Sequence, residues 1–422
     1  MKTSQRSIAL LSLVFVAVLS FERVEVPLVR RSLAVSGSVD LVNKKATQFL
    51  APISIDGRSF SVLVDTGSSD LWISCSDIAP AKCINITTCP TGLKTIVYGS
   101  GNVCLEANTA KFTLGSLEIP NLLYSVGVKS TILTDGNQGI LGLAFPSIST
   151  YATSNISTSY PIQYLDSFSM YLTAKENQAG SKLVLNGVDD QLISSNNMVG
   201  YKFPLNETEH WTIQISQFLV ENDSNYSKPC SSSNCLAIVD SGTTFLSMPS
   251  IIFKKFAATY LKPGVDGGCT YNTDYGYYVC PKDIPLPKIT LTMGTDKKFV
   301  LNSWDYSWVY SEKEIAVQIQ KNPASGSLAD RWILGDTFLK IYYTTYHIKD
   351  KAITFYCKNG GVCAGGENVL DFSGKTMTWA VILMIAGGSL LGLGLVGCLV
   401  YWYFRRRNQV VTEIKSPETP IL

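Results

Sequence analysis

"SVLVDTGSSDLW", Ser61 to Trp72, is the stretch on which the reading of this chain turns. Its first residues alternate and are β-branched or apolar, which predicts a strand running towards Asp65. Thr66-Gly67-Ser68-Ser69 then supplies turn chemistry directly behind the carboxylate. One Asp-Thr-Gly means little, because the same residues build ordinary turns. It becomes decisive if the chain supplies a second carboxylate to face the first.

An internal repeat supplies one. "AIVDSGTTFL", Ala237 to Leu246, reproduces the pattern of apolar strand, Asp, hydroxyl residue, Gly and two further polar residues. A second echo follows each copy: "GILGLAF" begins at Gly139 and "WILGDTF" begins at Trp332. Two repeats in the same order imply two related lobes, each contributing one aspartate, Asp65 and Asp240. The rest of the body reads as β-rich. "FSVLV", "AKFTLGSLEI", "SKLVLNGV", "HWTIQISQFLV" and "KITLTM" are short, β-branched or aromatic, and bounded by Gly, Pro, Asn or Asp. "PSIIFKKFAATYL", Pro249 to Leu261, is the best helical candidate.

Two carboxylates brought together cannot both ionise cheaply, so the pair holds one proton over a broad acidic range. The charged member can take a proton from water while the protonated member donates to a substrate carbonyl, which hydrolyses an amide without a nucleophilic side chain or a metal. Gly67 and Gly242 let the backbone approach closely, and the neighbouring hydroxyls supply hydrogen bonds that orient the carboxylates. Other chemistries find little support. His210 and His347 are the only histidines, there is no HExxH helix, and no Ser or Cys stands in a nucleophile context. His210, beside Trp211, reads as a packed or surface residue. Glycosidases also pair carboxylates, but their chemistry does not require a twofold repeat.

With both motifs in view, the stretch from about Phe49 to Phe355 resembles the pepsin-type aspartic proteases. The resemblance implies an all-β dominated, bilobal fold with the cleft between the lobes. It implies that Asp65 and Asp240 share the lytic water, that Thr66 and Ser241 form a grip between the lobes, and that Ser68 and Thr243 bond the outer carboxylate oxygens. "TIVYGSGN" resembles the family's flap, with Tyr98 closing over an extended peptide, Gly99 and Ser100 binding its backbone, and Trp72 packed behind Tyr98. "VEVPLVRRSL", Val24 to Leu33, resembles the start of an inhibitory pro-segment and so a zymogen. It is followed by a short connection, in which Lys44 and Lys45 are further cations for neutralising the cleft carboxylates. Tyr346-His347 stands where the family usually has Phe-Asp. A pepsin-like fold that has lost activity and acts as a binding or adhesion protein is the alternative, although both motifs are complete.

The ends place this body in the cell. Lys2 and Arg6 precede the apolar run "IALLSLVFVAVL", the layout of a secretory signal peptide at 1–20. Residues 376–404 carry no charge, are long enough to span a bilayer, and are followed at once by Arg405, Arg406 and Arg407. The expected order is therefore a signal peptide at 1–20, a short pro-segment-like region at 21–45 and an N-terminal lobe at 46–190. A C-terminal lobe at 191–357, a stalk at 358–375, a transmembrane helix at 376–404 and a cytoplasmic tail at 405–422 follow. That is a single-pass type I membrane protein of the secretory or endolysosomal route or the cell surface. Sequons at Asn85, Asn155, Asn206, Asn222 and Asn225 all fall on the lumenal side, as do ten of the eleven cysteines. An oxidising compartment predicts disulfides, the nearest pairs being Cys230–Cys235, Cys269–Cys280 and Cys357–Cys363. The sequence leaves the connectivity of Cys75, Cys83, Cys89 and Cys104 open. A net charge of +2 gives no reason to expect nucleic acid. No cofactor or metal is called for, and a monomer acting on polypeptides is expected.

Overall fold

A computed structural model describes residues 36–358, apart from 86–87, 133–135, 155–158, 227–234 and 274–275. The signal peptide, most of the pro-segment-like region, the stalk, the span and the tail lie outside the described residues. So do Cys230, Cys363, Asn155 and the side chain of Asn225. Among the described residues, no helix is long and apolar enough to cross a membrane.

Among the described residues, four β-sheets make up most of the regular structure. The predicted strands are present: Arg58–Asp65, the pair Gly101–Leu114 and Leu117–Ser130, Lys182–Leu185, Thr212–Val220 and Ile289–Met293. The expected helix forms as Ser250–Phe256, continues to Leu261 with a wider turn, and stops at Lys262 in the left-handed region (φ 48°).

The two Asp motifs sit in differently sized sheets that share one wiring. In the eight-stranded sheet, Arg58–Asp65 runs parallel to Gly139–Gly142, with Leu63 opposite Ile140, Val64 opposite Leu141 and Asp65 opposite Gly142. In the seven-stranded sheet, Leu236–Val239 runs parallel to Trp332–Leu334, with Ile238 opposite Ile333 and Val239 opposite Leu334. In each sheet the strand after the motif, Leu71–Ser74 or Leu246–Met248, returns antiparallel to the Ile-Leu segment. The repeated Ile-Leu-Gly is thus the strand beside each aspartate. Its glycine is needed for backbone clearance: a Cβ on Gly142 would lie 2.5 Å from the Ser69 carbonyl carbon, and one on Gly335 would lie 2.5 Å from the Phe245 carbonyl oxygen.

A six-stranded sheet joins the two halves. Gly37–Asp40, Lys182–Leu185 and Ser167–Tyr171 come from the first half, and Tyr343–His347, Ala352–Lys358 and Met198–Pro204 from the second. Ser167–Tyr171 pairs antiparallel with Tyr343–His347, which places Phe168 opposite Tyr346. Those two rings stack at 4.6 Å, and Trp211 packs edge-on to Tyr346 at 5.1 Å. The Trp211 indole N–H donates to the Leu143 carbonyl (2.9 Å), so the buried indole is also satisfied. Burying each such side chain stabilises the fold by about 1.5–3 kcal/mol. A four-stranded sheet, Thr270–Asn272, Tyr277–Pro281, Glu314–Val317 and Ser307–Val309, completes the set.

Disulfides join Cys75 to Cys83 and, as expected, Cys269 to Cys280. Cys357 is also disulfide-bonded. The Cys357–Cys363 and Cys230–Cys235 pairings each involve a residue outside the described part. Asn85, Asn206 and Asn222 are exposed.

Candidate active site

Asp65 ends its strand and is buried, and Asp240 directly follows Leu236–Val239. The turns behind them are tied to each other reciprocally. Thr66 Oγ1 donates to the Val239 carbonyl (2.9 Å) and accepts from the Ser241 N–H (2.9 Å). Ser241 Oγ donates to the Val64 carbonyl (2.8 Å) and accepts from the Thr66 N–H (3.2 Å). Two hydroxyls therefore satisfy four buried backbone groups across the repeat. The carboxylates are held in matching ways. Asp65 Oδ1 accepts from the Gly67 N–H (2.8 Å) and Asp240 Oδ1 from the Gly242 N–H (2.8 Å). Ser68 donates to Asp65 Oδ2 (2.5 Å) and Thr243 to Asp240 Oδ2 (2.7 Å).

The glycines show how close the two carboxyls lie. A Cβ on Gly67 would sit 2.6 Å from Asp240 Cγ, and one on Gly242 would sit 2.6 Å from Asp65 Cγ. Each motif's glycine thus makes room for the other motif's aspartate. Burial first, and the Asp240 charge second, push the Asp65 carboxyl up to about 7 against the pull of Ser68 and the Gly67 N–H. Asp65 therefore keeps its proton well into the neutral range, beside the second carboxyl.

The hairpin of Lys94–Tyr98 and Gly101–Leu114 carries "TIVYGSGN", with Tyr98 opposite Gly101 and the exposed Gly99 and Ser100 at its tip. The Trp72 indole N–H donates to the Tyr98 hydroxyl (3.0 Å). Burial, and then the nearby Asp65 charge, raise the Tyr98 hydroxyl's pKa. A Cβ on Gly99 would lie 3.3 Å from Pro323 Cγ, so the tip touches a segment of the second half of the chain. Thr66, Gly67, Ser68, Ser241, Gly242 and Thr243 are therefore gathered around Asp65 and Asp240, with Tyr98 and Trp72 close by and Gly99 and Ser100 at the exposed hairpin tip.

Lys44 ends the short strand Val42–Lys44 and Lys45 directly follows it. Neither makes an ion pair with Asp65 or Asp240. Lys45 is exposed, with its backbone N–H on Asn177 Oδ1 (3.3 Å), and the Lys44 ammonium lies beside Gly136. The strand Val42–Lys44 pairs with Gln48–Ile55 at an edge of the eight-stranded sheet. Lys340 is buried, with its ammonium on the Ala46 carbonyl (3.1 Å).

Lys340 balances Asp336, a third carboxyl not assigned a role from the sequence. Asp336 is fully buried, and neither carboxylate oxygen has a hydrogen-bond partner among the described residues. Burial raises its pKa well above the ordinary carboxylate range. Lys340 opposes the rise, and the charges of Asp240 and Asp65 add to it. A signal was available: Asp336 follows Gly335 where the first copy of the repeat has Leu143 after Gly142. Asp70, inside the opening motif, is buried too, and accepts from Ser149 Oγ (2.5 Å), the Thr150 N–H (3.0 Å) and Thr150 Oγ1 (3.1 Å). His210 is half-buried with Nδ1 unpartnered among the described residues, and burial lowers its pKa. At the Tyr346-His347 departure, the His347 ring nitrogen Nε2 bonds Thr354 Oγ1 (2.8 Å).

Two hydrogen-bonded carboxyls on paired turns, under a tyrosine-bearing hairpin, define the protein as having the architecture of an acid protease. Residues 48–356 match the family model described as eukaryotic aspartyl protease, and the chain belongs to that family. It is 27% identical over 328 residues to gastricsin of Oryctolagus cuniculus, covering 72% of this chain and 79% of that protein. It is 26% identical over 307 residues to pepsin A of Gallus gallus, covering 68% and 78%. Among solved structures, the aspartic proteinase from Irpex lacteus superposes with a TM-score of 0.60 at 20% identity, covering 77% of this chain and 98% of that one, and so shares the fold.

Proposed function

We propose that this chain is an active aspartic endopeptidase in which Asp65 and Asp240 activate one water between them. The observation that carries the reading is the reciprocal approach of Gly67 to Asp240 and of Gly242 to Asp65, which brings the two carboxyls together around one proton. The ionised carboxylate takes a proton from the water, whose oxygen forms a bond to the scissile carbonyl carbon. The protonated carboxyl gives its proton to the carbonyl oxygen. Collapse of the resulting diol breaks the C–N bond as the amine gains a proton, which leaves one proton on the pair. Tyr98, Gly99 and Ser100 cover an extended peptide, and Trp72 holds Tyr98 in position. The signal at 1–20, the span at 376–404 and the basic residues after it support a type I membrane protein of the secretory or endolysosomal route or cell surface. The body from 46 to 357 would then be lumenal and glycosylated, preceded by a short pro-segment-like region. A tether of this kind favours processing of neighbouring membrane or secretory polypeptides by a monomeric enzyme.

The test is cleavage of a quenched peptide library by the full-length chain from pH 3 to 7, with and without pepstatin, beside Asp65→Asn. Acid-favoured cleavage, blocked by pepstatin and reduced at least about 10³-fold in the variant, supports the proposal. A folded chain that cleaves nothing at any pH would sink it in favour of a binding protein.

A further inference from the structure

Two cysteines stand at the base of the flap. Cys104 lies on the hairpin's second strand opposite Thr95, and Cys89 lies in the segment leading into the first. Cys75 and Cys83 are already bonded to each other, and Cys89 and Cys104 are both thiols. Cys104 faces away from Tyr98: it packs with Cys75, Val126, Val128 and Cys89, whereas Val103 and Leu105 on either side of it pack with Trp72 and Tyr98. The Cys89 sulfur lies 3.6 Å from the carbonyl of Lys94, where the flap strand begins, and Cys89 packs against the buried cluster that holds Cys104.

We propose that Cys89 and Cys104 are a modification site, closed into a disulfide by exchange with a small-molecule or protein disulfide, and that this bond straps the flap hairpin at its base. Cys89, the more exposed of the two, enters as a thiolate and attacks one sulfur of the external disulfide. That S–S bond breaks, and its other half leaves and takes up a proton. Cys104 then loses its proton and attacks the Cys89 sulfur, expelling the second half as a thiol. Two cysteine sulfurs are oxidised and one external disulfide is reduced to two thiols, so electrons and protons balance. Burial pushes the Cys104 thiol up to about 11, which keeps it protonated and leaves the first attack to Cys89. Two sulfurs alone make a poor metal site, because a structural zinc takes four ligands. The ring so closed runs through Lys94–Tyr98, Gly99, Ser100 and Gly101–Val103, which is the whole tip. Its effect on proteolysis rests on the proposed function, whereas the bond itself does not.

The test takes the full-length chain through glutathione buffers from reducing to oxidising, traps remaining thiols by alkylation at acid pH, and maps peptides without reduction. Amide hydrogen exchange across 94–105 is followed in the same samples. The expected result is a Cys89–Cys104 cross-linked peptide that appears with oxidised glutathione and vanishes on reduction. Oxidation should slow exchange in the hairpin at least about tenfold, and Cys104→Ser should abolish both changes. Free alkylation of both cysteines in every buffer, or either one bridged elsewhere, would overturn the site. A cross-link that leaves exchange in 94–105 unchanged would overturn the strap. These readouts need no cleavage, so a chain that cuts nothing still decides the matter.

Discussion

Thr66 and Ser241 carry out, with two hydroxyls, a task that methyl groups of the same size cannot. In Thr66→Val, the Ser241 N–H and Val239 carbonyl lose their partners in a buried place, and each such orphan costs about 1–3 kcal/mol. The expected loss is about 2–4 kcal/mol in urea unfolding, with Thr66→Ser close to the parent. Asp65 sets the pH dependence. Its folded value of about 7 lies above the ordinary 3.8, so the folded chain binds this proton more tightly than the unfolded one. Stability from this group is therefore present at low pH, declines as pH rises through that window, and is gone above it. Asp65→Asn should gain thermal stability relative to the parent by a few degrees at pH 7 and by less at pH 4, measured by melting in parallel buffers. Peptide cleavage by the parent should fall on the alkaline side near pH 7, as the pair loses its shared proton. The aspartates, their glycines and their hydroxyls were legible in the sequence because a repeated turn exposes its own logic. Asp336 and Lys340 were not. Burial makes them matter, and nothing in their local sequence announces it, beyond the mismatch of Asp336 with Leu143 in the repeat.

At the scale of elements, the two Ile-Leu-Gly strands show why a glycine can be as restricted as an aspartate. A methyl group on Gly335 meets the Thr243 and Phe245 carbonyl oxygens, which are backbone atoms and cannot swing away. Gly335→Ala should lower stability by about 1–3 kcal/mol or more and cut cleavage further than its stability loss explains, since the carbonyls that must shift lie in the turn directly after Asp240. Enzyme assays at matched folded fraction separate the two effects. In the flap, Tyr98→Phe keeps the ring and removes the bond from Trp72, worth about 1 kcal/mol, so kcat/KM should drop by roughly fivefold to tenfold. Alternating β-branched residues made the strands readable, and an apolar stripe revealed the longest helix among the described residues. The parallel register beside each aspartate was out of reach, because alternation tells which face a residue takes and is silent about which strand lies next to it. The flap cysteines stayed open for the same reason. Which of them meet depends on where strand Gly101–Leu114 brings Cys104, in one cluster with Cys75 and Cys89.

For the whole molecule, the organising feature is the six-stranded sheet shared between the two halves of the chain. The sequence repeat suggests two independent lobes and says nothing of this sheet, since its strands lie outside the repeated motifs. Separately expressed halves, 36–190 and 191–358, should each fail to give a cooperative melt, because Ser167–Tyr171 and Tyr343–His347 would each lose the other as a partner. Mixing the two halves should restore the transition if the sheet is what joins them. The last described strand, Ala352–Lys358, is interior to that sheet, with seven residue pairs to Met198–Pro204 on one side and five to Tyr343–His347 on the other. A pull on Lys358 would therefore load both ladders lengthwise, so that their hydrogen bonds resist together instead of opening one at a time. The molecule carries its mechanical anchorage in the sheet its halves share, and tension entering there would be met before it reached the paired aspartates.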